Sequence, residues 1–273
     1  MSDTETDESM SALSNETLAL AEIAWEAGEI VLRHYASDDL NLKQKSDRSP
    51  VTVADEEAEA HILGRLKHRY PGVSVIAEEA VSAGHIPKIG SRFFLVDPLD
   101  GTKEFLGRNG EFTVNIGEIE DGVPIRGVVG IPARNQLFLG ARSEGAFEMA
   151  IEPNVRPDFG RLQPIGARAP APDGLVAVAS RSHRDDKTEE YLAQFTVKDF
   201  AAAGSSLKFC LIAAGNADIY PRLGRTMEWD TAAGHAVLLA AGGSVTTLDG
   251  QPLKYGKAED GFANPFFVAR GRC

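Results

Sequence analysis

Phe93-Phe94-Leu95-Val96-Asp97-Pro98-Leu99-Asp100-Gly101-Thr102-Lys103-Glu104-Phe105 constrains the chain more than any other stretch. It opens as a continuous apolar run, the pattern of a buried strand. Proline has no N–H to donate, so a central strand breaks at Asp97-Pro98. Two carboxylates, Asp97 and Asp100, stand at the mouth of that break. Gly101 permits a tight backbone, and Thr102 stands where a following helix could start. A rigid strand end thus delivers two acids beside a helix N-terminus able to receive an anion. The combination suits a divalent metal holding a phosphate. Asp, Pro and Gly are also ordinary turn residues, so other acids must decide between a metal site and a plain turn.

Three other stretches supply such acids. Asp55 and Glu56 fall in the first turn of a helix expected over residues 52–68, where favourable interaction with the helix dipole would also explain them. Ala77-Glu78-Glu79 ends a strand expected over 73–76; a solvated charge pair in a loop is the ordinary alternative. Glu228-Trp229-Asp230-Thr231-Ala232-Ala233-Gly234 leads into a small-residue helix expected to reach residue 241, with Asp230 at or just before its start, a frequent helix-capping position. Taken together with Asp97 and Asp100, these acids favour the metal site.

Composition narrows the partners. The net charge of -12 argues against nucleic acid, whose binders carry a basic footprint. It is compatible with a small phosphorylated substrate, provided that something cationic neutralises it, and bound metal is the obvious candidate. The first 14 residues are acidic and lack the apolar core of a signal peptide, and no apolar run is long enough to span a bilayer. Cys210 and Cys273 are the only cysteines, so a reducing compartment without a structural disulfide is expected.

In chain order, an acidic disordered tail is expected over residues 1–14 and an amphipathic helix over 16–35. A short strand over 41–45 and a polar loop over 46–50 precede the Asp55 helix. A short loop over 103–110 leads to an antiparallel meander of strands over 112–119, 125–131, 136–140 and 145–149, its first hairpin turned by Asp121-Gly122. Residues 151–173 are rich in Pro and Arg with weak periodicity, and look like a boundary between an α+β half (15–155) carrying the first acids and an α/β half (156–273) completing the site. In the second half, strands near 175–179, 200, 219–220, 245–248 and 265–269 alternate with helices over 182–195, 206–214 and up to 241.

Asp97-Pro98-Leu99-Asp100-Gly101-Thr102, preceded by Ala77-Glu78-Glu79 and followed far downstream by Trp229-Asp230-Thr231-Ala232-Ala233-Gly234, resembles the inositol monophosphatase family of metal-dependent, lithium-sensitive phosphatases. The motifs stand in the family's order over nearly all of the chain beyond the tail. Lys103-Glu104-Phe105, Arg108-Asn109-Gly110-Glu111-Phe112-Thr113-Val114-Asn115 and Gly204-Ser205-Ser206-Leu207-Lys208-Phe209-Cys210 are more particular, and resemble its CysQ-type 3'(2'),5'-bisphosphate nucleotidases.

The resemblance implies a layered αβαβα sandwich and a hydrolase that removes the 3'-phosphate of adenosine 3',5'-bisphosphate to give AMP. It implies two or more Mg²⁺ per site, one held by Glu78, Asp97 and the Leu99 carbonyl, another by Asp97, Asp100 and Asp230; oxygen ligands suit a hard ion. The phosphate would lie on the metals and on the N–H groups of Gly101 and Thr102. His183, Ser205, Lys208 and Arg222 match positions that hold the nucleotide. The expected chemistry is in-line attack by a metal-activated water, with the Thr102 hydroxyl, oriented by Asp55, receiving its proton and Glu78 touching the same water. Inositol monophosphate and fructose 1,6-bisphosphate are alternative substrates of the same chemistry. A catalytically silent regulator is the non-enzyme alternative, disfavoured because Glu78, Asp97, Asp100, Thr102 and Asp230 are all present. The expected location is cytoplasmic, with some proteins of this type held at the cytoplasmic face of the inner membrane. No feature of the sequence specifies an oligomeric state.

Overall fold

The structure, a computed structural model, describes residues 13–37, 43–44, 50–51, 53–179 and 186–272. The expectations for most of the tail, the polar loop and the start of the helix over 182–195 lie outside those residues. In chain order the elements are α1 (Asn15–Tyr35), a ribbon of β1 (Lys43–Gln44) with β2 (Pro50–Val51), α2 (Val53–Arg69), β3 (Ser74–Ala77), α3 (Glu78–Ser82), β4 (Arg92–Asp100), α4 (Thr102–Leu106), β5 (Thr113–Glu120), β6 (Val123–Ile131), β7 (Gln136–Ala141), β8 (Gly145–Ala150), β9 (Gln163–Ile165), β10 (Leu175–Ala179), α5 (Asp186–Leu192), β11 (Val197–Ala202), α6 (Leu207–Ala213), β12 (Ile219–Arg222), α7 (Glu228–Ala240), β13 (Ser244–Thr247) and β14 (Phe267–Arg270).

Successive side chains of a strand point to opposite faces, and in β4 both faces are buried. Phe94 and Val96 pack with Leu20, Ala24 and Val31 of α1 and Ala58, Ile62 and Leu66 of α2. Phe93 and Leu95 pack on the other side with residues of α6 and α7, and with Tyr220, Val245 and Phe267 of a second sheet. The outer face of that second sheet, with Ala177, Ile219 and Val268, is covered by Leu192 and Tyr191 of α5. The layers therefore run helices, sheet, helices, sheet, helix, as expected. The first sheet has the order β3-β4-β5-β6-β7-β8-β9, and the second β11-β10-β12-β14-β13. In the first, β3 and β4 are parallel and the remaining pairs antiparallel.

Two differences from the sequence reading are local. Thr102 does start a helix, and α4 carries residues 103–106 of the loop expected over 103–110; five residues are too few for a periodic apolar signal. β9 adds an edge strand within the aperiodic stretch 151–173, where pairing with β8 substitutes for strand propensity.

α7 lies unusually close to the first sheet. Gly117, Gly127 and Gly140 stand side by side in register on β5, β6 and β7. A Cβ at Gly127 would sit 2.3 Å from the Ala233 carbonyl oxygen, one at Gly117 2.8 Å from Ala232 Cβ, and one at Gly140 2.8 Å from Val237 Cα. The three glycines form a trough into which the alanine face of α7 sinks. The small-residue composition of this helix, read from the sequence only as a local pattern, is one half of that fit.

Candidate active site

The break in β4 is a one-residue bulge. Asp97 pairs with Asn115 and Asp100 with Thr113, so three steps along β4 match two along β5. Without the extra residue, side chains three apart would face opposite sides of the sheet. The bulge resets the alternation, and both carboxylates face the side where α7 lies. The Leu99 N–H donates to Asp97 Oδ1 at 3.0 Å. Thr113 Oγ1 and Asn115 Nδ2 each donate to Asp100 Oδ2 at 3.5 Å.

Glu78 and Asp230 come from other layers. Glu78 opens α3 at the end of β3. Asp230 lies in the first turn of α7, where its Oδ2 accepts the Met227 N–H at 2.8 Å. α7 starts at Glu228, so Asp230 stands inside its first turn rather than at or before its start; it caps by reaching back to Met227, and it also faces the other acids. Burial raises the Asp97 carboxyl well above the usual carboxylate range, and Glu78, Asp100 and Asp230 add to the rise. Asp230 is raised in the same way, by burial and then by Asp100 and Glu78. Asp100 is pushed up to about 6 by burial, with Glu78 and Glu104 adding and Lys208 opposing. Three carboxylates raised by enclosure and neighbouring acids, Asp97 buried and Asp100 and Asp230 half-buried, with Glu78 acting on all three, are the arrangement expected where a cation belongs.

The donor set fits a hard divalent ion. All of its atoms are oxygens, and Asn115 Oδ1, buried next to Asp100, has no hydrogen-bond partner among the described residues. Among those residues no three acid, His or Cys side chains converge into a closed ligand cage; the acids interact through space.

Asp100 and Asp230 border an open cleft that is also lined by Gly101, Ser205, Lys208 and Arg222, with Glu104, Tyr220 and Thr231 beside them. Two chain segments meet there. Gly101 has φ +94°, and a Cβ on it would stand 2.2 Å from Ser205 Oγ. Ser205 itself has φ +47°, uncommon for a residue other than Gly, and its hydroxyl donates to the Asp100 carbonyl at 2.8 Å. Ser206 Oγ donates to the Asp230 carbonyl at 2.7 Å. The loop before α6 thus pins both acid-bearing segments.

Two cations, Lys208 and Arg222, line the same cleft. Lys208 is 6% exposed; its Nζ donates to the Ser205 carbonyl at 2.9 Å and lies over the Tyr220 ring. Burial lowers its pKa to about 8, although Asp100 pulls the other way. Arg222 Nη2 donates to the Arg225 carbonyl at 3.2 Å, while its buried Nε has no hydrogen-bond partner among the described residues. Thr102 begins α4. Asp55 lies in the first turn of α2 and is 1% exposed, so it is not a solvated partner of the helix dipole. Leu99 is buried beside Asp97. His183 lies outside the described residues.

Sequence reasoning passed over Glu59 and Asn115. Both were reachable by periodicity: Glu59 is one helical turn beyond Asp55 on α2, and Asn115 alternates with Thr113 on β5.

Comparison with known proteins agrees with this geometry. The family model described as "Inositol monophosphatase family" matches residues 13–268. The chain is 43% identical over 249 residues to the 3'(2'),5'-bisphosphate nucleotidase CysQ of Escherichia coli strain K12, covering 91% of this chain and 96% of that protein. It superposes on the crystal structure of CysQ from Bacteroides thetaiotaomicron with a TM-score of 0.80 at 35% identity, covering 96% and 99% of the two chains. The inositol monophosphatase of Anabaena gives a TM-score of 0.71 at 26% identity, over 94% and 90%. A match that spans both sheets and every acid of the cleft leaves one assignment: this chain belongs to the inositol monophosphatase family.

Proposed function

We propose that the chain is a metal-dependent 3'(2'),5'-bisphosphate nucleotidase, releasing the 3'-phosphate of adenosine 3',5'-bisphosphate and leaving AMP. The observation that carries this reading is a cleft lined by both acids and cations. Asp100 and Asp230 line it, with Asp97 interacting with both, and so do Lys208 and Arg222. A small ligand with two phosphates matches both kinds of group, one phosphate through divalent metal and the other directly on the cations. The similarity to the nucleotidase of Escherichia coli supports the same substrate.

Glu78, Asp97, the Leu99 carbonyl, Asp100 and Asp230 would hold Mg²⁺, two or more ions per site. Bound there, the metal would neutralise the phosphate and acidify a water. The chain's own residues do the rest. The N–H groups of Gly101 and Thr102 receive the phosphate oxygens. Thr102 Oγ1, oriented by Asp55, relays the proton of the attacking water, its own hydroxyl proton passing to the Asp55 carboxylate, while Glu78 orients that water and the departing 3'-oxygen takes a proton from solvent. Ser205, Lys208, Arg222 and His183 hold the remainder of the nucleotide. Attack by water leaves no phosphorylated side chain. No helix of the described residues is long and apolar enough to cross a membrane, and we place the protein in the cytoplasm, with contact at the inner membrane's cytoplasmic face as the alternative.

The test is phosphate release from adenosine 3',5'-bisphosphate, inositol 1-phosphate and fructose 1,6-bisphosphate in parallel, with Mg²⁺, with EDTA and with added Li⁺. The expected result is preference for the nucleotide, lost in EDTA and suppressed by Li⁺. Preference for inositol or sugar phosphate would discard the nucleotide contacts. Absence of Mg²⁺-dependent release from all three would overturn the reading.

A further inference from the structure

α3 begins with a deficit. It is a single turn of five residues whose preceding residue, Ala77, has no side chain able to accept the first N–H groups. Those donors are orphans of the helix start and must find acceptors when buried. Glu59 of α2 supplies them. Its Oε2 accepts the Glu79 N–H at 2.8 Å, and its Oε1 accepts the Ala80 N–H at 2.8 Å. The carboxylate is 5% exposed, so both bonds are shielded from water, and bonds to an ionised acceptor are the stronger kind.

None of the five residues of α3 is fully buried, although the bracket also holds Ala80 and Val81 against the edges of the two core clusters. It fixes the backbone beside Glu78, the residue preceding the two captured amides and one whose charge raises Asp97, Asp100 and Asp230. Glu59 also lies one helical turn beyond buried Asp55 on α2, so one rigid helix references two parts of the cleft.

We infer that Glu59 is a positioning residue, which clamps the first turn of α3 and so sets Glu78 in register with Asp97, Asp100 and Asp230 for metal binding. The inference rests on the reading of these acids as a metal site. Outer partners of metal ligands typically contribute about 10–100-fold to affinity, and Glu59 acts through backbone rather than through the ligand itself.

The test is Glu59→Ala, with Glu59→Gln, which keeps one acceptor oxygen, as the conservative partner. Mg²⁺ binding is measured by calorimetry on the full chain, and amide hydrogen exchange at Glu79 and Ala80 by NMR. Expected are a Mg²⁺ affinity about 10-fold weaker in Glu59→Ala, an intermediate value in Glu59→Gln, and faster exchange at both amides. A folded Glu59→Ala protein with faster exchange but wild-type Mg²⁺ affinity would overturn the inference alone. If Glu59→Ala does not fold, Glu59→Gln decides: wild-type affinity overturns the inference, and weakened affinity with faster exchange supports it. A wild-type protein that binds no Mg²⁺ would overturn the inference and the metal-site reading together.

Discussion

Asp97 has the largest obligations of any single residue. It is buried, its Oδ1 accepts one backbone N–H, and Glu78, Asp100 and Asp230 press upon its charge. Asp97→Asn is expected to lower turnover by about 10²–10³-fold, the range for removing one preorganised electrostatic group, while circular dichroism shows a folded protein. Asp100 gives a pH-dependent counterpart. Its folded pKa, about 6, lies above the usual value of 3.8, chiefly through burial. The stability linked to its protonation is fully present below the unfolded value and is lost as pH rises through about 6. In EDTA, the margin by which Asp100→Asn melts above the wild type should therefore widen as pH rises from about 4 to about 7 and level off beyond; a gap that shrinks with rising pH would contradict the assignment. Asp97, Asp100 and Asp230 were legible in the sequence because each sits in a local pattern: a strand broken by proline, or the start of a small-residue helix. Glu59 was not legible as a partner of α3, since its bonds join residues 20 and 21 positions apart, and no local period reports that meeting.

Elements show what those side chains need from their supports. α7 carries Asp230 to the acids only because β5, β6 and β7 offer glycine where the helix crosses. Gly127→Ala would push a methyl against the Ala233 carbonyl and is expected to cost about 1–3 kcal/mol, as core overpacking does. Activity should fall with it, since α7 must lift. Denaturant melts and turnover of one preparation check both; unchanged values would mean that the helix adjusts freely. At its start, Glu228 accepts the N–H groups of Gly256 and Lys257 at 2.8 and 2.9 Å, which ties the acid-bearing turn to the loop before β14. The buried strand β4 was readable from its continuous apolar run, and the meander of β5 to β8 from an alternating first strand and the strand-like runs and turn that follow it. α4 and β9 were not, because elements of five and three residues are too short to show a period and exist through their neighbours.

For the molecule as a whole, the cleft trades stability against charge. Without a cation, folding gathers acids that repel; with one, the same acids become ligands. Mg²⁺ binding requires them deprotonated, so stabilisation by Mg²⁺ should be small at pH 5 and grow toward pH 8. At a Mg²⁺ concentration of about 100 Kd the gain is roughly 2.7 kcal/mol, or roughly 5–10 °C for a chain of this size. Thermal melts across pH, with EDTA as reference, check the trend, and Asp97→Asn should abolish it. The layered architecture and the sharing of one site between the two halves were expected from the family resemblance; no local pattern by itself reports how Lys208, Arg222 and Asp230 of the later half meet Asp97, Asp100 and Glu78 of the earlier one.

The glycine trough also limits how such a chain can drift over generations. Where two large side chains meet, growth on one side can be matched by shrinkage on the other. Here the strands already present Gly117, Gly127 and Gly140, and the helix answers with Ala232, Ala233 and Ala236. The strands have nothing left to give up, so a change that enlarges the helix has no compensating partner at the seam. A substitution is therefore absorbed more readily in the outer helices and loops than at this seam, where only the alanine methyls are left to yield, and which, though it bears no carboxylate, sets how close Asp230 comes to the other acids.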